Sequence, residues 1–168
     1  MMHHVYFSEL GAVHFYCGLA ALALGLVVLL LRKGTRLHRA AGLCYVMAML
    51  ALNGAALTLY HLTGHFDVFH ALALVSLFGV ISGTAAAIFR WKNWLHSHYR
   101  AMSFSYVGLL AAGTAEIFVH VPALHVHSAA MGIAVGVAMA VVFGIGGSIV
   151  VRRLKPSVLA SIPQGAQS

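Results

Sequence analysis

Acidic residues are scarce in this chain: only three occur in 168 residues, Glu9, Asp67 and Glu116. Charged residues of either sign make up 8%, while hydrophobic residues make up 61% and the mean hydropathy is +0.92. A water-soluble domain needs a charged exterior, and this composition cannot supply one. The two cysteines, Cys17 and Cys44, fall at different depths of two apolar runs, which argues against a disulfide between them. No C-x-x-C-H segment is present, so covalent c-type haem is excluded on the usual motif. Neither a dinucleotide fingerprint nor a phosphate-binding loop occurs.

What is present is apolar length. A span needs roughly 20 apolar residues to cross a hydrocarbon core about 30 Å thick. Five such runs can be drawn, at 10–31, 42–62, 68–89, 102–121 and 126–151. The alternating pattern of a membrane barrel is absent. The expected fold is therefore all-α: a polytopic membrane bundle of about five transmembrane helices in a single domain, residues 1–155, followed by a short flexible tail, 156–168. The opening "MMHHVYFSEL" has no basic segment and no small-residue cleavage site, so the first run is expected to stay as a helix.

The net charge of +7 suggests nucleic acid, but the placement of the charges does not. The basic residues form three groups: Arg32, Lys33, Arg36 and Arg39; Arg90, Lys92 and Arg100; Arg152, Arg153 and Lys155. With five spans, all three groups lie on one side. The positive-inside rule then puts the N-terminus out and the C-terminus in, as expected in a bacterial inner membrane.

This topology sorts the polar residues. All three acids and nine of the twelve histidines fall near the outer face. Neutral imidazole is cheaper to bury than a charge, yet it ligates metals and carries protons. For His3, His4, His61, His65, His96 and His127, an ordinary interfacial role is the preferred reading. His14 is distinguished by its face, shared with Gly11, Gly18, Ala21 and Gly25 at helical spacing; the competing reading there is a helix-packing seam with one hydrogen-bonded histidine. His70 opens the third run at a depth similar to that of His14. On the inner side, His38 opens the second run and His98 the fourth. His98, Met102, Ser105, Leu109, Ala112 and Glu116 share one helical face, since eighteen residues make five turns.

Two histidine pairs, one near each face, match the ligand layout of transmembrane b-type di-haem cytochromes, in which low-spin iron takes two axial imidazoles. On this reading His14 with His70 holds an outer haem b and His38 with His98 an inner one. Gly18, Gly25, Gly42, Gly54, Gly79 and Gly83 would make room, and Arg36, Arg39 and Arg100 would pair with propionates. The protein would be a membrane oxidoreductase component with a redox partner.

A second reading is a non-haem site for zinc, iron or copper, built from His14, His70, Glu116, His120 and His125. It accounts for Glu116, which the haem reading leaves idle except as a proton carrier. A third reading is an accessory subunit. The small residues Ser128, Gly132, Gly136, Ala140, Gly144 and Ser148 recur every fourth position in the fifth run, a close-packing face either within the chain or for a homo-oligomer; packing within the chain is the preferred use.

The segments "KGTRLHRAAGLCYVMAMLALN" and "HSHYRAMSFSYVGLLAAGTAE" resemble the bacterial membrane proteins grouped as domain-of-unknown-function family 2306. The resemblance rests on His14; on Lys33, Gly34, His38, Arg39 and Gly42; on His70; and on His98, Met102, Ser105 and Tyr106. It covers about residues 10 to 122. It implies the helical membrane fold and no particular activity. His96 and His98 both precede Met102; His98 is preferred as the family histidine, since it stands four residues before Met102 on the Glu116 face.

The topology has a direct check. A reporter that is active only in the cytoplasm, fused after Ser168, is expected to give signal; a silent fusion would rule out an odd number of spans with the N-terminus out.

Overall fold

The computed structural model describes residues 9–58, 66, 68–120 and 129–153. It contains five α-helices: α1 (Glu9–Leu30), α2 (Arg36–Thr58), α3 (Val68–Phe89), α4 (Trp94–His120) and α5 (Ala129–Arg153). No strand occurs among the described residues. Four helices are long and apolar enough to cross a bilayer: α1, α2, α3 from Phe69, and α5 from Ile133. The 27-residue α4 is long enough, at about 1.5 Å per residue. Its first two turns carry His96, His98 and Arg100, and Glu116 lies four residues before its end.

Many large apolar side chains face outward. Tyr16, Leu30, Phe78 and Phe89 are 68–77% exposed. The buried positions include six alanines (Ala21, Ala55, Ala73, Ala86, Ala111 and Ala115) and the polar Asn53, His70, Ser103 and Ser105, beside larger apolar residues such as Tyr45, Met49, Leu52, Val80 and Leu109. Large apolar groups facing outward, with small and hydroxyl-bearing residues among the buried ones, suit a lipid solvent, where close backbone approach and internal hydrogen bonds hold helices together. The hydroxyls are satisfied locally: Ser105 donates to the Met102 carbonyl and Thr114 to that of Ala111, as Asn53 does through its amide to Met49.

Two helices begin well before their apolar runs. α2 starts at Arg36 and not at Gly42, and α4 at Trp94 and not at Met102. The signals are caps, which hydropathy does not read. Thr35 caps α2: its Oγ1 accepts the His38 amide at 3.1 Å and its carbonyl accepts that of Arg39. The same hydroxyl donates to the Arg32 carbonyl. Gly34, at φ +81°, makes the reversal that a side chain would resist. Lys33 folds back so that its ammonium donates to the carbonyls of Val28, Leu29 and Leu31, closing the orphan end of α1. Partial desolvation pulls that ammonium below its ordinary pKa. The Lys-Gly pair of the family-like segment is thus a turn device. Between α3 and α4 the left-handed positions are taken by Arg90 (φ 46°) and Asn93 (φ 63°). The Arg90 amide still reaches the Ala86 carbonyl, and its guanidinium lies 5.2 Å from the Trp94 ring centre, a cation–π contact that helps hold the strained residue.

The backbone forms two compact units, one ending at Ile81 and the other beginning at Ser82, so the division falls inside α3. In the first, α1 packs on α2; in the second, α4 packs on α5. The α4–α5 contact differs from the every-fourth small run expected on α5. Gly136 and Gly144 have open space around them, and Ala140 and Ser148 are exposed. The close approach is instead at Gly146, where a Cβ would lie 2.7 and 2.8 Å from the Val107 methyls, and at Gly147 against Phe104. Phe104 also stacks on Phe143 at 6.0 Å. Periodicity marks small-residue faces but does not say which of two adjacent faces the neighbour uses. Gly146→Ala is expected to lower stability in detergent by about 1–3 kcal/mol through overpacking, whereas Gly136→Ala is expected to be neutral or slightly stabilising, since alanine favours helix. Thermal unfolding of both variants checks this.

Candidate cofactor-binding histidines

Each of the four histidines singled out as haem ligands has a distinct setting. His14, on α1, is half-buried, and its Nδ1 lies 3.3 Å from the Leu52 carbonyl of α2. His98, on α4, has its Nδ1 2.8 Å from the Gly83 carbonyl of α3. A carbonyl oxygen only accepts, so in both bonds Nδ1 carries the proton. In the neutral ring the lone pair is then on Nε2, the tautomer in which that nitrogen can ligate a metal. The His98 bond is short and firm; that of His14 is longer and weaker.

His70 is 3% exposed, and its ring lies 5.2 Å from that of Phe66, tilted by 33°. Its Nε2 is buried. His38 is half-buried with a buried Nδ1, and its backbone amide belongs to the Thr35 cap. His14, His38 and His70 lie in the first unit and His98 in the second. His96 is half-buried on the first turn of α4.

The seam expected around His14 is present. Ala21 and Gly25 are the buried residues of α1, and a Cβ at Gly18 would meet the Leu52 Cδ1 at an ordinary 3.6 Å. Other glycines expected to make room have different surroundings. Gly42 and Gly54 face open space, whereas the space at Gly83 is already taken by Met102 and Ala101. Arg36, Arg39 and Arg100 are exposed.

The set His14, His70, Glu116, His120 and His125 is described only in part. Glu116 is exposed on α4 in the second unit. His120 ends α4, but its side chain is outside the described residues, as is the whole of His125. Among the described residues no three His, Cys, Asp or Glu side chains gather as metal ligands would. The shared face from His98 to Glu116 changes character along its length: Ser105 and Leu109 are buried, whereas Ala112 and Glu116 are exposed.

Sequence reading did not find Thr35, Asn53 or the helical role of Gly83. Thr35 carried a signal, a threonine three residues before His38 at a helix start. Asn53 stood out only as an amide in an apolar run. Gly83 carried none, because its role depends on what α4 brings to it. The two α4 histidines are expected to differ in cost: His98→Ala loses a cross-helix bond and should lower stability by about 1 kcal/mol more than His96→Ala, a difference that thermal unfolding in detergent reads directly.

No curated protein and no solved structure matches the chain. A family model described as predicted membrane protein (DUF2306) matches residues 11–151, a stretch that takes in α2, α3 and α4, all but the outermost two residues of α1 and α5, and the four histidines. The chain therefore belongs to that family of membrane proteins.

Proposed function

We propose that this membrane protein is a b-type haem protein that moves electrons within or across the bilayer, with α4 crossing as a fifth span, the N-terminus outside and the C-terminus in the cytoplasm of a bacterial cell. On this reading His14 and His70 would hold an outer haem, and His38 and His98 are the histidines of the inner side. The supporting observation is the state of the rings: His14 and His98 each direct Nδ1–H to a backbone carbonyl of another helix. That second bond is what iron-ligating imidazole requires to fix its orientation and raise its basicity. Bound haem would supply one-electron chemistry; the chain's own part is to hold the imidazoles, exclude water with its apolar exterior, and keep the basic residues at the inner face.

The test is the visible spectrum of the protein purified in mild detergent, oxidised and dithionite-reduced, with elemental analysis of the same sample. A sharp Soret band with split reduced α and β bands is expected. His14→Ala and His70→Ala should each remove the same haem, at least halving the bound total. A colourless sample with stoichiometric zinc or copper would overturn the haem reading in favour of the non-haem one, and a colourless, metal-free sample would favour an accessory subunit.

A further inference from the structure

The contact between α3 and α4 in the second unit is built around a residue with no side chain. Gly83 offers its carbonyl to the His98 Nδ1 at 2.8 Å. It also lies so close to α4 that a Cβ on it would sit 2.9 Å from the Met102 Sδ, 3.1 Å from its Cγ and 3.0 Å from the Ala101 Cβ. Met102 is one turn beyond His98 on the same helix, and Ala101 is its chain neighbour. The hydrogen bond and the close approach are therefore one arrangement. A side chain at 83 makes the Met102 thioether swing aside and Ala101 give by a few tenths of an ångström, a shift of α4 that lengthens the 2.8 Å bond from the His98 ring. A helix carbonyl already accepting its own i+4 amide has a second lone pair, and a donor reaches it only where the helices are nearly in contact.

We propose that Gly83 is a positioning residue for His98: its bare Cα and its carbonyl together select the Nδ1-protonated tautomer and aim Nε2 at a ligand. The significance of that aim rests on the haem reading above, but the tautomer is a property of the chain itself. The inference also separates His98 from His96, for which no such partner is seen among the described residues. An Ala at 83 would leave ring, helix and composition otherwise unchanged, so the arrangement predicts a tautomer change specific to one histidine.

Nitrogen-15 NMR of histidine-labelled full-length protein in detergent, dithionite-reduced so that any low-spin iron is diamagnetic, reads which nitrogen bears the proton. His98→Gln assigns the signal. His98 is expected to be protonated at Nδ1, whether Nε2 carries a lone pair or a metal. Where Nε2 carries a lone pair, the Nδ1-protonated fraction in Gly83→Ala should fall relative to the Nε2-protonated one by roughly fivefold, the bias that an ordinary net hydrogen bond provides; where Nε2 carries iron, the ratio is read on the same protein purified without haem. Adding Met102→Ala to that variant removes two of the three close contacts and should restore the tautomer in part; recovery would show that a folded protein, and not general collapse, gave the loss. If Gly83→Ala alone does not fold, the double variant supplies the reading against wild type. A His98 protonated at Nε2 in the wild type, or an unchanged ratio in Gly83→Ala, would overturn the proposal. A colourless protein with the Nδ1 tautomer would retain the positioning role and remove the haem reading; a haem spectrum with the Nε2 tautomer would do the reverse.

Discussion

Hydrogen bonds from imidazole Nδ1 to the carbonyls of neighbouring helices, His14 to Leu52 and His98 to Gly83, are the interactions around which the polar interior is arranged. In lipid, a polar group has no water to turn to, so each one placed inside must find a partner in the protein. The helix backbone supplies that partner only where another helix comes close enough for a side chain to reach a second carbonyl lone pair. Small residues therefore become a condition for the polar ones: Gly83 beneath Met102, and Ala21 and Gly25 on the His14 seam.

The same constraint explains why alanine, serine and asparagine are found among the buried residues, beside Tyr45, Met49 and Leu52, while many leucines and phenylalanines face outward. With lipid as the solvent, removing a leucine from it stabilises little, whereas close contact between backbones gains dispersion and permits the hydrogen bonds. The turns follow a related rule. At the ends of α1 and α2 the orphan carbonyls and amides meet the headgroup region, where Lys33, Gly34 and Thr35 satisfy them. Their contribution to the family-like segment is structural.

Fixing a ring nitrogen is also a chemical act. An imidazole that donates from Nδ1 presents Nε2 in a definite direction, so the bond that stabilises the helix contact also prepares a ligand. On the proposed haem reading, packing and cofactor chemistry share one geometry.

Hydropathy alone determined that the chain is helical and lives in a membrane, and it placed α3 at 68–89 without error, because a 20-residue apolar run has few other uses. The basic-residue pattern determined an expected orientation. The start of α2 came from the cap at Thr35 and that of α4 from the left-handed turn at Asn93, and the polar first turns of both dilute the apolar signal. Only the tertiary structure decided which small face of α5 meets α4, choosing Gly146 and Gly147 over the Gly136–Gly144 stripe, and which of two histidines two residues apart bonds across to α3. Both depend on the rotation of one helix against another. Helical period lists the faces a chain can present, but the choice among them is made by the shape of the neighbour, which no single run of sequence contains.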